Sequence, residues 1–306
     1  MKDRATRRGR KRQTRSWLLL LFLLLTCFCW GCAANGEPAP DAPVAADAPA
    51  ETDEAVLQVS GDGIDGVHSF TYAELAALPN ASFAHVYSTV NNWPSARFYA
   101  ASGIRVAAIL EAAGVLESAR TLTFRSADGY QAVLTRAQLL EPQYYYPQPG
   151  ESSDNDEPVE PIIAFSYREC SQDMTEIAED APCLILGQRD PFQQSNPAFV
   201  VNVSEIIVSA APEAQWEAPG VFPLAGQIAA GESVKLQHPS YGLVKLHYTL
   251  DGSDPTALSP VYNPSTYQPE LNKPILITED TEIRAIAIGY GREDSEIAVF
   301  YFQVTK

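Results

Sequence analysis

An aromatic and polar run at residues 87–104, YSTVNNWPSARFYAASGI, holds the side chains best suited to bind a ligand. Aromatic rings stack on flat groups, amides donate and accept hydrogen bonds, and a guanidinium pairs with anions. We predict a ligand pocket lined by Tyr87, Asn91, Asn92, Trp93, Arg97 and Tyr99. The alternative is structural, because aromatic residues in such a connection also cover a core, and Asn and Ser also form turns.

No reaction follows from the remaining chemistry-bearing residues. The four histidines form no HxxxH pair and accompany no GxSxG serine. A glycosidase would need two carboxylates about a sugar apart in a catalytic domain, and the sequence has no such signature. We therefore expect no catalytic residues and no metal ligands. A lone histidine on a strand, such as His247, is interpreted as an exposed polar position.

Two cysteines after position 32, Cys170 and Cys183, can form one disulfide in an oxidising compartment. The segment between them is polar, and closing it would stabilise the fold by roughly 3 kcal/mol in the loop-entropy model. The alternative is a pair of free thiols that bind a soft metal, although no nearby histidine completes such a site.

The N-terminal segment, residues 1–31, is predicted to be a signal peptide. Eight Lys and Arg residues precede the apolar run WLLLLFLLLTCFCW and then small residues. Cys32 resembles the lipidated cysteine of bacterial lipoproteins, although Cys29 stands where those proteins usually have Leu. The alternative is an uncleaved N-terminal helix, because the apolar stretch approaches the roughly 18 residues that span a bilayer. Either anchor predicts an extracytoplasmic protein at the bacterial cell membrane.

The chain is strongly acidic, with 21 Lys and Arg against 38 Asp and Glu, a net charge of −17. Removal of residues 1–31 takes away eight basic residues and one Asp, which changes the balance to 13 − 37 = −24. A surface of this sign repels nucleic acid, so we exclude a nucleic-acid partner.

The rest of the chain divides into a tether and two units. Residues 32–55 are rich in Ala, Pro and acidic residues, which favours an extended chain. Residues 56–211 form the first unit, 212–221 a linker and 222–306 the second unit. In the first unit, capping boxes at Thr71 and Thr135 begin two short helices, and GIRVAAILEAAG predicts another that Gly114 ends.

The first unit resembles the molybdopterin-binding domain of the sulfite oxidase type. The resemblance rests on FTYAELAALP, on ASGIRVAAILEAAGV at the start of a family helix, on FRSADGY and on FVVNVSEIIV. It implies a mixed α+β fold for residues 56–211, and the strands at short spacing in the second unit predict a small antiparallel β-sandwich there.

The same resemblance implies a cofactor pocket in the run YSTVNNWPSA, where catalytic members place a molybdenum-binding cysteine. No cysteine lies between Cys32 and Cys170, and the hydroxyls of Ser88 and Thr89 are poor ligands for that metal. Few basic residues, among them Arg97 and Arg105, are near enough to hold the pterin phosphate. We therefore expect a degenerate pocket without cofactor, with bound molybdopterin as the alternative.

The second unit alternates strictly in VKLHYTL, where Val244 and Leu246 face one way and Lys245 and His247 the other. Together with YTLDGSDPT and the strands that follow, it resembles the small β-sandwich at the C-terminus of chitobiase and β-hexosaminidase enzymes, an accessory module there. Three aspartates offer a calcium site or, more simply, turns that close hairpins: Asp251, Asp254 and Asp294.

Two classes of function follow from these expectations. The first is a membrane-anchored surface protein whose degenerate cofactor fold acts as a non-catalytic ligand or interaction module, with a glycan or small molecule as ligand. The second is an oxidoreductase that holds a molybdopterin-type cofactor without the usual cysteine.

Overall fold

Two of the three α-helices begin at a threonine that caps them, as the sequence predicts. In this computed structural model, which describes residues 54–265 and 267–305, Thr71 and Thr135 each accept a hydrogen bond from the backbone three residues on. The side chains of Glu74 and Gln138 accept a hydrogen bond from the backbone N–H of the capping threonine. The helices are α1 (Tyr72–Ala76), α2 (Val106–Ala112) and α3 (Arg136–Leu140).

Strands are the main secondary structure of the described residues, because apolar and polar residues alternate in many short segments of the chain. In Thr121–Ser126, for example, every second side chain is buried. The strands are β1 (Leu57–Gly61), β2 (His68–Phe70), β3 (Ser82–Val90), β4 (Ala96–Arg105), β5 (Thr121–Ser126), β6 (Gln131–Thr135), β7 (Gln143–Tyr145), β8 (Glu157–Val159), β9 (Ile162–Glu169), β10 (Ala178–Ile185), β11 (Val200–Val201), β12 (Val203–Ser209), β13 (Gly220–Phe222), β14 (Gly226–Ala229), β15 (Glu232–Gln237), β16 (Val244–Thr249), β17 (Ile275–Ile277), β18 (Thr281–Gly289) and β19 (Ala298–Thr305).

The first hydrophobic core is shared by two five-stranded sheets. One sheet has the order β2-β1-β12-β5-β6 and the other β11-β10-β9-β4-β3. Only the β1–β12 pair is parallel among the pairs in these two sheets. The largest fully buried side chains of this core include Tyr87, Phe124 and Leu134.

The predicted mixed α+β class is wrong, because the described residues form a β-sandwich-rich structure with helices of only five to seven residues. The reason is visible at the segment ASGIRVAAIL, which the resemblance places at the start of a helix. Its first half belongs to β4, which continues to Arg105 before α2 begins. That helix then stops at Ala113, where Gly114 takes a φ of +69°.

A second hydrophobic core lies under the C-terminal strands. A three-stranded sheet, β13-β15-β17, and a four-stranded sheet, β14-β19-β18-β16, contribute to it. The buried side chains include Val234, Leu246, Ile283 and Phe302. A β-sandwich in this region agrees with the alternation in the sequence.

The helix α3 holds the C-terminal strands through one side chain, Gln138. Its Nε2 donates to the carbonyl oxygens of Gly289 (2.8 Å) and Arg292 (3.2 Å), and its Oε1 accepts from the backbone N–H of Gly291 (2.9 Å). The same Oε1 caps α3 through the N–H of Thr135. A side-chain amide has two donor hydrogens and two acceptor positions. The buried amide of Gln138 therefore has a partner at all four positions.

A second set of bonds joins the β3–β4 connection to the loop before β17. Ser265 Oγ donates to the carbonyl oxygen of Asn92 at 2.6 Å. Gln194 Nε2 donates both to the carbonyl oxygen of Asn91 (2.8 Å) and to that of Pro264 (3.2 Å). The two cores are therefore fastened at two separate places.

The predicted disulfide is not formed, because Cys170 and Cys183 are both free thiols. Cys183 on β10 is paired in register with Ala164 on β9, whereas Cys170 follows the far end of β9. Six residues of extended chain span about 20 Å, far more than the roughly 6 Å between the Cα atoms of a disulfide. Burial raises the pKa of the Cys183 thiol to about 12.

The predicted signal peptide (residues 1–31), the lipidated Cys32 and the tether up to residue 53 lie outside the described residues. Among the residues that the structure does describe, no helix has the length and apolar character needed to cross a membrane.

Replacement of Gln138 by Ala tests how strongly the two cores are coupled. The matched control is Glu74→Ala, which removes the side chain at the same capping position of α1, where it bonds only to Thr71. We expect the control to lower the free energy of unfolding by about 1 kcal/mol, and Gln138→Ala by about 3 kcal/mol because buried backbone groups lose their partners. Urea unfolding of the full-length variants measures both, and equal losses would contradict the coupling.

Candidate functional site

The predicted site segment, residues 87–104, comprises the end of β3, the turn at residues 91–95 and most of β4. The two strands pair antiparallel as far as Val90 and Ala96. Asn91 Oδ1 accepts hydrogen bonds from the backbone N–H groups of Trp93 (2.8 Å) and Ser95 (3.3 Å), which closes the turn. This is the turn chemistry for which Asn is favoured.

The two tyrosines of the predicted pocket belong to the first core. Tyr87 is fully buried, and its hydroxyl donates to the carbonyl oxygen of Glu160 at 2.6 Å. Tyr99 is 8% exposed, lies edge-on to Phe199, and donates to Glu169 Oε1 at 3.1 Å. Burial raises the pKa of both hydroxyls. Neither side chain is placed to stack on a ligand.

The other predicted residues separate. Trp93 is 58% exposed and stacks parallel to Tyr267, with the ring centroids 6.2 Å apart. Arg97 forms an ion pair with Glu169. Asn92 alone among the six predicted residues lines a large cavity.

The residues present do not fit a molybdenum site at the position where the family has its cysteine. The fully buried Ser88 hydroxyl donates to Gln188 Oε1 at 2.6 Å and accepts from the N–H of Tyr146. The Thr89 hydroxyl accepts from the N–H of Ser195 at 2.9 Å. Because both hydroxyls serve the fold, neither is available as a ligand.

No group of three or more His, Cys, Asp or Glu side chains is placed to hold a metal within residues 54–265 and 267–305. Asp251 Oδ1 accepts from the N–H and hydroxyl of Ser253 and closes a turn, and Asp254 pairs with Arg284. Asp251 therefore behaves as the turn interpretation expects, whereas Asp254 forms an ion pair.

The cavity has a volume of about 970 Å³ and is lined by both halves of the described chain. The tip of the β3–β4 hairpin, β6 and the loop 189–198 contribute from the first half. Strand β16, the loop 257–261 and residues 288–292 contribute from the second. The bonds made by Gln138 and Ser265 fix the distance between these walls.

Strand β16 turns two polar side chains toward the cavity. Val244 and Leu246 are buried in the second core, while Lys245 and His247 line the cavity, to which Val244 also contributes. The predicted alternation is therefore correct, but the interpretation of His247 as exposed is wrong, since only 6% of it is exposed. Its Nδ1 lies 3.0 Å from the carbonyl oxygen of Ser259, which makes Nδ1 the donor and leaves Nε2 as an acceptor.

Burial lowers the pKa of both polar side chains of β16, Lys245 and His247. It lowers the pKa of the Lys245 amine from 10.5 to about 8. The amine donates to the carbonyl oxygens of Asn263 (3.0 Å) and Pro264 (3.3 Å), and forms no ion pair among the described residues. Burial also lowers the pKa of His247, so that its neutral form is favoured.

Two arginines complete the charged lining. Arg189 pairs with Glu141 (Nη1 to Oε2, 3.0 Å) and lies over the ring of Tyr290. Arg292 lies over the ring of Trp216, with 4.6 Å from Cζ to the ring centroid. Asp190 is the acidic residue of the lining, and burial raises its pKa.

Four titratable lining residues are absent from the predicted set: Arg189, Lys245, His247 and Arg292. The sequence contains a signal for two of them, because Lys245 and His247 alternate with core residues on one strand. A single sequence does not reveal which face of a β-sandwich packs against a neighbour, so the polar face of β16 is indistinguishable from a solvated one.

One family matches the chain: the family model described as "Fn3 associated" matches residues 234–302. The match covers β16, which contributes Lys245 and His247 to the cavity. No curated protein matches the chain.

Two solved structures show slight overall likeness. The sulfane dehydrogenase SoxCD from Paracoccus pantotrophus is 10% identical, with a TM-score of 0.33, over 81% of this chain and 75% of that one. The N-terminal four Ig domains of Dscam1 isoform 9.44 are 9% identical, with a TM-score of 0.22, over 82% and 72%. At these TM-scores neither likeness bears on fold or function.

The Lys245→Met variant tests the burial of the charged amine. Because the folded-state pKa of about 8 is below 10.5, the cost of burying the charge is fully present below pH 8 and is relieved as pH rises toward 10.5. We expect the free energy of unfolding of the wild type to rise relative to the variant across this window. Urea unfolding between pH 7.5 and 10 measures it, with Lys273→Met, an exposed lysine, as the control. A constant difference would contradict the burial.

Proposed function

We propose that the protein is a non-catalytic ligand-binding module at the surface of the bacterial cell, with its ligand in the cavity between the two cores. The observation that carries this proposal is the cavity itself, about 970 Å³ in volume and lined from both halves. Ligand sites in proteins are typically concave, mostly apolar and equipped with a few polar groups that orient the ligand. Apolar walls with Lys245, His247 and Arg292 among them agree with that description.

The membrane is the proposed location on the basis of residues 1–32 alone. A lipid on Cys32, or an uncleaved N-terminal helix, anchors the chain, and the acidic tether carries the folded part away from the membrane. A glycan or a small molecule is the proposed ligand class. A net charge of −24 after removal of residues 1–31, from 13 − 37, argues against nucleic acid.

The proposal also includes the family resemblance of each of the two units. We propose that residues 56–211 are a molybdopterin-binding-like unit that has lost its metal, and that residues 222–305 act as an accessory module like that of chitobiase. The match of the Fn3 associated model to residues 234–302 supports an accessory β-sandwich. The engaged hydroxyls of Ser88 and Thr89 weigh against the alternative, a molybdopterin-dependent oxidoreductase.

Substitution of Ala257 by Trp tests the cavity as the ligand site. Ala257 is a half-buried lining residue on a loop, so a bulky ring fills space in the cavity without entering either core. The matched control is Ala112→Trp, at an exposed position at the end of α2. Native mass spectrometry of the full-length protein from its own cells, with elemental analysis, compares the three proteins.

We expect a small molecule to accompany the wild type and Ala112→Trp and to be lost from Ala257→Trp. Stoichiometric molybdenum or pterin would overturn the non-catalytic proposal in favour of the oxidoreductase. Retention of the same molecule by Ala257→Trp would place the ligand elsewhere on the protein.

A further inference from the structure

The charge of the cavity lining is opposite to that of the protein. The chain has 38 acidic residues against 21 basic ones, yet the cavity is lined by Lys245, Arg292 and Arg189, of which only Arg189 is in an ion pair, with Asp190 as the acidic residue. A concave, low-dielectric site lined by one sign of charge concentrates ligands of the other sign. The excess of positive charge therefore points to an anion.

Two cations of the lining, Arg292 and Lys245, form no ion pair in the described part of the chain, and Lys245 is the one on β16. Its ammonium group has three donors, of which two are directed at the carbonyl oxygens of Asn263 and Pro264. Carbonyl oxygens solvate a charge without neutralising it. Since no carboxylate pairs with Lys245 in the part of the chain that the structure describes, the charge is left uncompensated.

The unsatisfied polar atoms of the lining residues are also donors. Trp216 Nε1 and Arg189 Nε are buried N–H groups that find no hydrogen-bond partner within residues 54–265 and 267–305. Buried polar groups in folded proteins are nearly always paired, so these two are exceptions. Because both atoms are buried from solvent, they add positive potential to the lining and do not contact a ligand directly.

The remaining walls are mostly apolar, which sets a second requirement on the ligand. Phe192, Leu243, Ile288 and Tyr290 line the cavity together with Trp216. Aromatic and aliphatic walls favour a ligand with an apolar, preferably flat, body. A small inorganic anion would leave these walls hydrated.

We propose that the cavity binds an organic anion with an apolar ring system, whose oxyanion group pairs with Lys245 while Arg292 adds positive potential. This inference rests on the proposed ligand-binding function and names the class of ligand. A carboxylate or a sulfonate provides the same chemistry at the amine.

Two probes of the same shape test the inference: 2-naphthoate, which is anionic, and 2-naphthamide, which is neutral. Equilibrium dialysis at pH 7 of the full-length chain in lipid nanodiscs measures both, and empty nanodiscs correct for partition into lipid. We expect 2-naphthoate to bind about tenfold more tightly than 2-naphthamide, the size of one charge-assisted hydrogen bond.

Variants assign the preference to the amine. We expect Lys245→Met to weaken 2-naphthoate binding about tenfold and to leave 2-naphthamide binding unchanged within twofold. Lys245→Arg keeps the charge and should retain the preference, which also controls for disruption of the fold by the Met variant. Lys273→Met, at an exposed position, should change neither probe.

The binding of the two probes distinguishes failure of the anion inference from failure of the ligand-binding proposal. Equal binding of the two probes by the wild type would overturn the anion inference and leave the ligand-binding proposal standing. Saturable binding of neither probe would overturn both. A preference for 2-naphthoate that survives in Lys245→Met but is lost in Arg292→Gln would overturn the role of Lys245.

Discussion

The hydrogen bonds of Gln138 are the constraint on which the candidate site depends. One buried amide caps α3 and holds three backbone groups between Gly289 and Arg292, which fixes this side of the second core to a five-residue helix. Gly291 reaches this contact with a φ of +78°, a conformation that other residues rarely adopt. Without this attachment the cavity would lose one of its walls.

The second consequence of that attachment is electrostatic. The polar face of β16, which would be solvated in an isolated β-sandwich, lies at the cavity and is partly removed from water. Burial lowers the pKa of Lys245 to about 8 and favours neutral His247. Charged groups held in this way cost stability, and such costs are typical of sites that bind ligands. The same side chains would have no such role on an isolated module.

Local features of this chain are predictable from sequence, and features that depend on packing between distant segments are not. The capping boxes at Thr71 and Thr135, the stop at Gly114 and the alternation in β16 follow from neighbouring residues alone.

The α+β class fails because the residues before Val106 continue β4 rather than begin a helix. The disulfide fails because the register of β9 and β10 separates Cys170 from Cys183. The hairpin run 87–104 contributes Asn92 to the cavity, while Tyr87 and Tyr99 are core residues.

A crystal structure of the full-length protein, purified from its own cells without added ligand, tests the central claim most directly. The account predicts that both cores share one cavity and that electron density for an organic molecule lies within hydrogen-bonding distance of Lys245 Nζ. Density for a ligand only on the exposed Trp93 and Tyr267 pair, or two halves separated so that Gln138 no longer contacts residues 289–292, would contradict it.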